Sequence, residues 1–163
     1  ASMLARETRL TKAEEAPVAG LVHDVGKTVI NNSVPDYYAG IVEGASACKV
    51  RCHEAEQKAF GFNHCDVGGY IARKWQFPPD RVVAIECHHA DVPPSVQEAT
   101  HEGLWRIVSI ADAIALNLGF GFQETIDITS VGLAGIGITG EQLSQLLETL
   151  REVFAEQQLL GDA

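Results

Sequence analysis

The residues best suited to chemistry fall in four short stretches. The first is His23-Asp24, inside Gly20-Leu21-Val22-His23-Asp24-Val25-Gly26-Lys27, where a titratable and a charged side chain adjoin within an apolar run. Desolvating such a pair is costly unless a partner takes it up. Imidazole nitrogen and carboxylate oxygen together ligate divalent transition metals, and a carboxylate such as Asp24 can bridge two ions or orient a water. The competing account is a pair at a helix end, hydrogen-bonded to neighbouring backbone. His64, His88-His89 and Asp112 supply the remaining stretches. Singly, His64 reads as a capped surface residue and Asp112 as a carboxylate bonded to backbone. His88-His89 reads as a pair favoured by a helix C-terminal dipole. Together they put metal-type ligands on four separate helices, a common way for bundles to build a metal site. Lys27, one turn from His23, is placed either to contact phosphate or to pair with a neighbouring carboxylate.

Four cysteines stand at Cys48, Cys52, Cys65 and Cys87. Cys48 and Cys52 are four apart, as on one helix face, and Cys65 and Cys87 each adjoin a candidate histidine. A structural zinc site is one reading. The absence of a C-x-x-C knuckle favours the other, in which free cysteines serve as small buried hydrophobes. A disulfide framework does not suit a chain of 163 residues with so few cysteines and 46% hydrophobic residues, and reduced thiols imply a cytoplasmic protein.

The same length and apolar fraction fit one domain, spanning 1–163, with a sizeable core. Only 7% of residues are aromatic, so that core must be built mainly from Ala, Val, Ile and Leu. A net charge of −10 repels nucleic-acid backbones and anionic membranes, so neither is expected as a partner. No apolar run reaches the roughly 18 residues of a transmembrane helix, and Ala1–Met3 does not open a signal peptide.

The elements that must position these groups read as helices. Glu14–Ile30 is apolar at Val18, Leu21, Val22, Val25 and Val29, the spacing of one buried helix face. Asp36–Lys58 is rich in small residues. Asn63 caps a helix running to about Gln76 that buries Val67, Ile71 and Trp75. Pro79 opens another through Val82, Val83 and Ile85, and Pro93-Pro94 ends that block. Glu102–Leu118 is the most regular pattern, with Asp112 at the flank of its buried face. After a Gly-rich connection, Gly119–Gly140, a Thr139/Gln142 capping box opens a last helix through Leu143, Leu146, Leu147, Leu150, Val153 and Phe154. The expected fold is an all-α bundle of about five to seven helices. Val22, Val25, Val67, Ile71, Ile85, Leu104, Ile107, Val108, Ala111, Leu146, Leu147 and Leu150 form its core.

The order His-Asp, His, His-His, Asp resembles the HD superfamily of metal-dependent phosphohydrolases, and more closely its HDOD branch. Ala19–Lys27 is similar to that branch's GLLHDIGK element. Glu56-x-x-x-Phe60-Gly61-x-x-His64-x-x-Val67-Gly68 is similar to its E-x-x-x-FG-x-x-H-x-x-VG element. Trp75-Gln76-Phe77-Pro78, Ile85-Glu86-Cys87-His88-His89 and Ala111-Asp112 continue the series. The superfamily's first histidine, upstream of the HD pair, is not found before His23, and the branch's N-terminal helical subdomain is missing from this sequence. Ala90-Asp91-Val92-Pro93 replaces the Gly-Tyr-Pro segment of related cyclic-dinucleotide phosphodiesterases, which disfavours that substrate.

The resemblance implies a non-catalytic signal-transduction or regulatory output module of a bacterial regulatory protein. Its partners would be other signalling domains or proteins, or a second copy of the chain. The alternative is a metal-dependent phosphohydrolase acting on a phosphate-containing small molecule, a phosphomonoester or nucleotide phosphodiester. In that reading His23, Asp24, His64, His88, His89 and Asp112 would hold Fe, Mn, Zn or Mg, and Asp24 and Lys27 would act in catalysis. The His/Asp cluster without any metal, held by its own hydrogen bonds, is the remaining expectation for the site.

Overall fold

The computed structural model describes residues 1–11, 14–90, 102–120 and 137–161, with side chains at 154–161 and at 102 left aside. Among the described residues the chain is all-α, as expected. It forms nine helices: α1 (Ser2–Thr8), α2 (Glu15–Val22), α3 (Val25–Ser33), α4 (Pro35–Cys48), α5 (Cys52–Phe60), α6 (His64–Lys74), α7 (Pro79–Glu86), α8 (Glu102–Asn117) and α9 (Gly140–Gly161). None is long and apolar enough to cross a membrane. The Pro93-Pro94 stop, most of the Gly119–Gly140 connection and the Phe154 side chain lie outside the described residues.

The count exceeds five to seven because two stretches are broken and because α1 stands before the first expected helix. Asp36–Lys58 divides at Lys49, a left-handed residue with φ 53° that closes α4. Cys48 and Cys52 therefore belong to different helices and share no face. Glu14–Ile30 divides at His23-Asp24, where Asp24 adopts φ −95°, ψ 14°, the sparsely populated bridge region. The break changes which face is buried. Val18, Leu21 and Val29 are 41%, 84% and 36% exposed, whereas a single helix would have buried them together. Trp75, expected inside, is 58% exposed, because it caps the C-terminus of α6 beyond the face that meets α7.

Elsewhere the local signals hold. Asn63 accepts from the backbone N–H groups of Cys65 and Asp66, and Asp66 returns a bond from the Asn63 N–H, a complete capping box. Pro79 sits in the first turn of α7. Thr139 and Gln142 cap α9 reciprocally, at 2.9 and 3.2 Å.

The main core joins α1, α2, α7, α8 and α9 through Leu4, Ala5, Ala16, Ala19, Ala84, Leu104, Ile107, Val108, Ile110, Ile114, Leu143 and Leu146. Ala111, Leu147 and Leu150 are partly buried against it. Ala72, Val82 and Ile85 form a second cluster, with Val22 packed beside them. Val25, Val67 and Ile71 are half-buried.

One contact controls where the site residues meet. α3 crosses α6 at Gly26, so closely that a Cβ there would stand 1.9 Å from the His64 carbonyl oxygen and 2.9 Å from the Gly68 nitrogen. Gly68 is itself closed in, with Ile85 Cγ2 at 2.7 Å from where its Cβ would be. Both obstacles at Gly26 are backbone, which cannot rotate away. Gly26→Ala is therefore expected to cost about 3 kcal/mol or more, the upper part of the overpacking range, read from the midpoint of chemical denaturation. An alanine variant within about 0.5 kcal/mol of the parent would show that the crossing is not tight.

Candidate metal centre

His23 and Asp24 lie at the α2–α3 break, His64 is the first residue of α6, His88-His89 follow α7, and Asp112 lies on α8. All six expected residues come together. His23 Nε2 is 3.4 Å from Asp112 Oδ1 and 3.5 Å from Asp24 Oδ2. Asp24 Oδ1 is 3.3 Å from His64 Nε2 and 3.5 Å from His88 Nε2. The two Nε2 atoms of His64 and His88 are 3.3 Å apart. His89 Nδ1 stands further out, 3.8 Å from Asp112 Oδ2. Lys27 Nζ donates to Asp24 Oδ2 at 2.8 Å, so of its two expected roles the structure displays the carboxylate pair.

The tautomers follow from what each ring meets on its other side. His23 Nδ1 donates to the Gly20 carbonyl at 2.8 Å, His88 Nδ1 to the Ile85 carbonyl at 2.7 Å, and His64 Nδ1 to Glu56 Oε2 at 2.6 Å. Each neutral ring thus keeps its hydrogen on Nδ1 and presents an Nε2 lone pair to the centre. Three lone pairs and the oxygens of Asp24 and Asp112 converge, and they are all acceptors. His23 Nε2 and Asp24 Oδ1 are buried and have no hydrogen-bond partner among the described residues.

Such a set fits a cation. An ion about 2.0–2.1 Å from three tetrahedrally placed nitrogen or oxygen donors sets them about 3.3–3.4 Å apart. The separations among Asp24 Oδ1, His64 Nε2 and His88 Nε2 are 3.3, 3.5 and 3.3 Å. His23, Asp24 and His88 also offer ligand atoms within 4.8 Å of one another, as do His64, Cys65, His88 and His89.

Titration behaviour reflects the same crowding. Burial works against ionised Asp24, yet the close approach of His88 and the charge of Lys27 hold its carboxyl far below the usual range. Burial would lower His23, but the nearby carboxylates of Asp112 and Asp24 outweigh it and raise it. Burial dominates for His88 and His89, lowering both.

A supporting layer was not visible as such in the sequence. Glu56, fully buried, accepts from both the backbone N–H and Nδ1 of His64, at 2.8 and 2.6 Å, and from the Tyr38 hydroxyl at 2.6 Å. Cys52 Sγ lies 3.4 Å from the same carboxylate. The acid thus fixes His64 in the orientation that a carboxylate–histidine pair gives to a metal ligand. α8 holds the next segment: Trp105 Nε1 donates to the Cys87 carbonyl and Ser109 Oγ to the His88 carbonyl. Trp105, Ser109 and Asp112, spaced four and three apart, share one face. His53 stacks on His89 with centroids 4.4 Å apart, and burial beside Arg51 lowers it to about 4. Glu56 could have been found from its place in the motif eight residues before His64. Nothing in the spacing of Tyr38 or Ser109 marks them.

These motifs and this fold have counterparts. The HDOD domain model matches residues 1–91, and the chain belongs to the HDOD domain family. Over 114 residues it is 30% identical to ribonuclease Y of Symbiobacterium thermophilum, covering 70% of this chain and 16% of that protein. It shares its fold with a solved structure from Shewanella amazonensis SB2B, a phosphohydrolase by assignment. That match has a TM-score of 0.68 and 24% identity, and covers 91% of this chain and 54% of the other. The chain therefore spans about half of one relative and about a sixth of the other.

Glu56 gives this layer a measurable signature. Burial would raise its pKa, but the bonds from His64 and Tyr38 hold it down to about 2, against an ordinary value of 4.5. A depressed folded pKa means stability that is present above about 4.5 and lost as pH falls toward about 2. Glu56→Gln is expected to cost about 1–3 kcal/mol at neutral pH, with the difference from the parent shrinking across that acid window. Denaturation curves at several pH values check it, and a pH-independent difference would contradict the assignment.

Proposed function

We propose that the chain carries a divalent-metal centre that hydrolyses a phosphoester. The observation that carries this reading is the set of inward acceptors: three imidazole Nε2 lone pairs and two carboxylates, with His23 Nε2 and Asp24 Oδ1 left without hydrogen-bond partners among the described residues. His23, Asp24, His64, His88 and Asp112 would hold the metal, and His89 stands beside them. When bound, a divalent ion acidifies water and offsets phosphate charge.

The chain's own residues supply the rest. His64 and His88 are closed off from solvent, whereas the side chains of Asp24 and Lys27 are 34% and 21% exposed. A phosphoester would therefore approach over Asp24 and Lys27. There the ammonium, already 2.8 Å from Asp24 Oδ2, is positioned to turn one N–H toward a phosphate oxygen while keeping Asp24 ionised. The Tyr38–Glu56–His64 chain and the Ser109 bond hold the rings in place before anything binds, which lowers the cost of assembling the site. The name of the 30% identical ribonuclease agrees with phosphoester chemistry.

A non-catalytic signalling module is the second reading. It is favoured by large apolar side chains turned to solvent, led by Leu21, Tyr70 and Tyr37 at 84%, 62% and 59%, which suit contact with a partner protein. Loading with Mn²⁺, Fe²⁺, Zn²⁺ or Mg²⁺ followed by assay on a generic phosphodiester, phosphomonoesters and nucleotides separates the two. Hydrolysis should appear with metal and fall on the order of 10²-fold or more in both His23→Ala and Asp24→Ala, since loss of outer-shell partners alone costs about 10–100-fold. Metal uptake without any turnover would leave the signalling reading, and failure to take up any of the four ions would remove the metal centre itself.

A further inference from the structure

Two nitrogen-bearing side chains at the edge of the centre have no part in the site as derived above. Arg51 stands immediately before α5 and His53 in its first turn, both half-buried. Each meets the ring of His89. Arg51 Nη2 lies 3.4 Å from His89 Nδ1, and the His53 ring stacks on His89 with centroids 4.4 Å apart and planes 17° from parallel. A guanidinium can only donate, so His89 Nδ1 is the lone-pair side of its ring. His89 is thereby set apart from His23, His64 and His88, whose Nε2 lone pairs face the centre. His53 Nδ1 is buried and has no hydrogen-bond partner among the described residues, a state that calls for a further group to complete it. The nearest carboxylate on this side is Asp112, whose Oδ2 is 3.8 Å from His89 Nδ1. Glu54, in the same turn as His53, is exposed.

We propose that Arg51 and His53 form an anion subsite at the edge of the centre, which holds a phosphate group of the substrate beside the one that is attacked. A guanidinium carries five N–H donors in a planar fork that matches two phosphate oxygens, so Arg51 can keep its contacts within the fold and still hold an oxyanion. The Nδ1 hydrogen of His53 completes the subsite, and the stack on His89 fixes the ring that carries it. Both residues address His89 and not the Nε2 atoms at the centre, so they act in binding and not on the reacting atoms. Substrates with a second phosphate group are then preferred over those with one. The inference rests on the phosphoester reading for its substrate, but the subsite itself is measurable without metal or turnover.

Calorimetric titration of the metal-free whole chain with inorganic phosphate tests the subsite. The parent should bind phosphate, and Arg51→Gln and His53→Ala should each weaken that binding about tenfold or more, as loss of a charge-assisted or buried hydrogen bond does. Arg51→Lys, which keeps the charge and loses the fork, should recover only part of the affinity. Arg73→Gln controls for lost positive charge, because Arg73 pairs with Glu86 on the surface, and it should bind as the parent does. With Mn²⁺ present, Arg51→Gln should raise KM for a dinucleotide bearing a terminal phosphate while leaving its kcat and the KM for phenyl phosphate unchanged. A parent that binds no phosphate, variants that bind it as the parent does, or equal weakening in Arg73→Gln would overturn the subsite. A KM for phenyl phosphate that rises equally would overturn its place beside the attacked group. Phosphate binding that weakens as expected, with no hydrolysis of any substrate, would keep the subsite and remove the phosphoester reading.

Discussion

The approach of α3 to the start of α6 is the constraint from which the rest of the centre follows. With hydrogen as the only side chain at position 26, the two backbones meet at a distance that no Cβ would permit. Gly26 is two residues after Asp24, and the backbone it touches is that of His64. Contact at that point carries the Asp24 carboxylate up to the His64 ring, 3.3 Å away. A wider crossing would separate the Asp24–His64 pair, and no rotamer of a side chain as short as aspartate could span the gap. The HD pair and the distant histidine are therefore coupled through glycine, not through the apolar packing that holds most helices together.

Around that contact the protein commits its hydrogen-bond donors outward. The Gly20 and Ile85 carbonyls, on α2 and α7, and Glu56, on α5, each take an Nδ1 hydrogen. Glu56 is in turn held by Tyr38, on α4. α8 fixes the two carbonyls beside His88 with Trp105 and Ser109. Each ring is thereby oriented from behind by an element other than the one whose oxygen it faces, so the site is specified by the assembled bundle and not by any one segment. It leaves His23 Nε2 and Asp24 Oδ1 without a hydrogen-bond partner among the described residues.

How much of this was legible in the sequence depended on whether the signal was local. The helix caps at Asn63 and Thr139, the proline start of α7 and the apolar stripe of α8 are written within a few residues, and they are where the sequence places them. The break at His23-Asp24 is not, because Val18, Leu21, Val25 and Val29 keep helical spacing across it. What overrides that periodicity is the need to aim two adjacent polar side chains at one point, satisfied by a bridge-region aspartate. Trp75 misled for a related reason: its size suggests a core residue, yet it stands past the turn of α6 that faces α7. The six site residues were recognisable from their chemical types and order. The motif marks the position of Glu56 but not its role, because its burial depends on Tyr38 and His64 arriving from other elements.

A cluster of histidines and aspartates can also persist without any ion, as a hydrogen-bonded remnant, and the directions of the donors bear on that alternative. A remnant needs hydrogens pointing inward. Lys27 supplies one to Asp24 Oδ2, and His23 can supply another by taking up a proton, since Asp112 and Asp24 raise its pKa. Neither reaches the three-way meeting of Asp24 Oδ1, His64 Nε2 and His88 Nε2. Protonating His88 there would place a charge in a fully enclosed position, and burial drives its pKa the other way. Reversing the His64 tautomer would strand the Glu56 carboxylate without its closest donor. The cheapest group that satisfies all three atoms together is a cation small enough to sit between donors 3.3–3.5 Å apart. The hydrogen bonds on the outer sides of the rings are thus what turns the inner side into a set of acceptors whose spacing fits a cation.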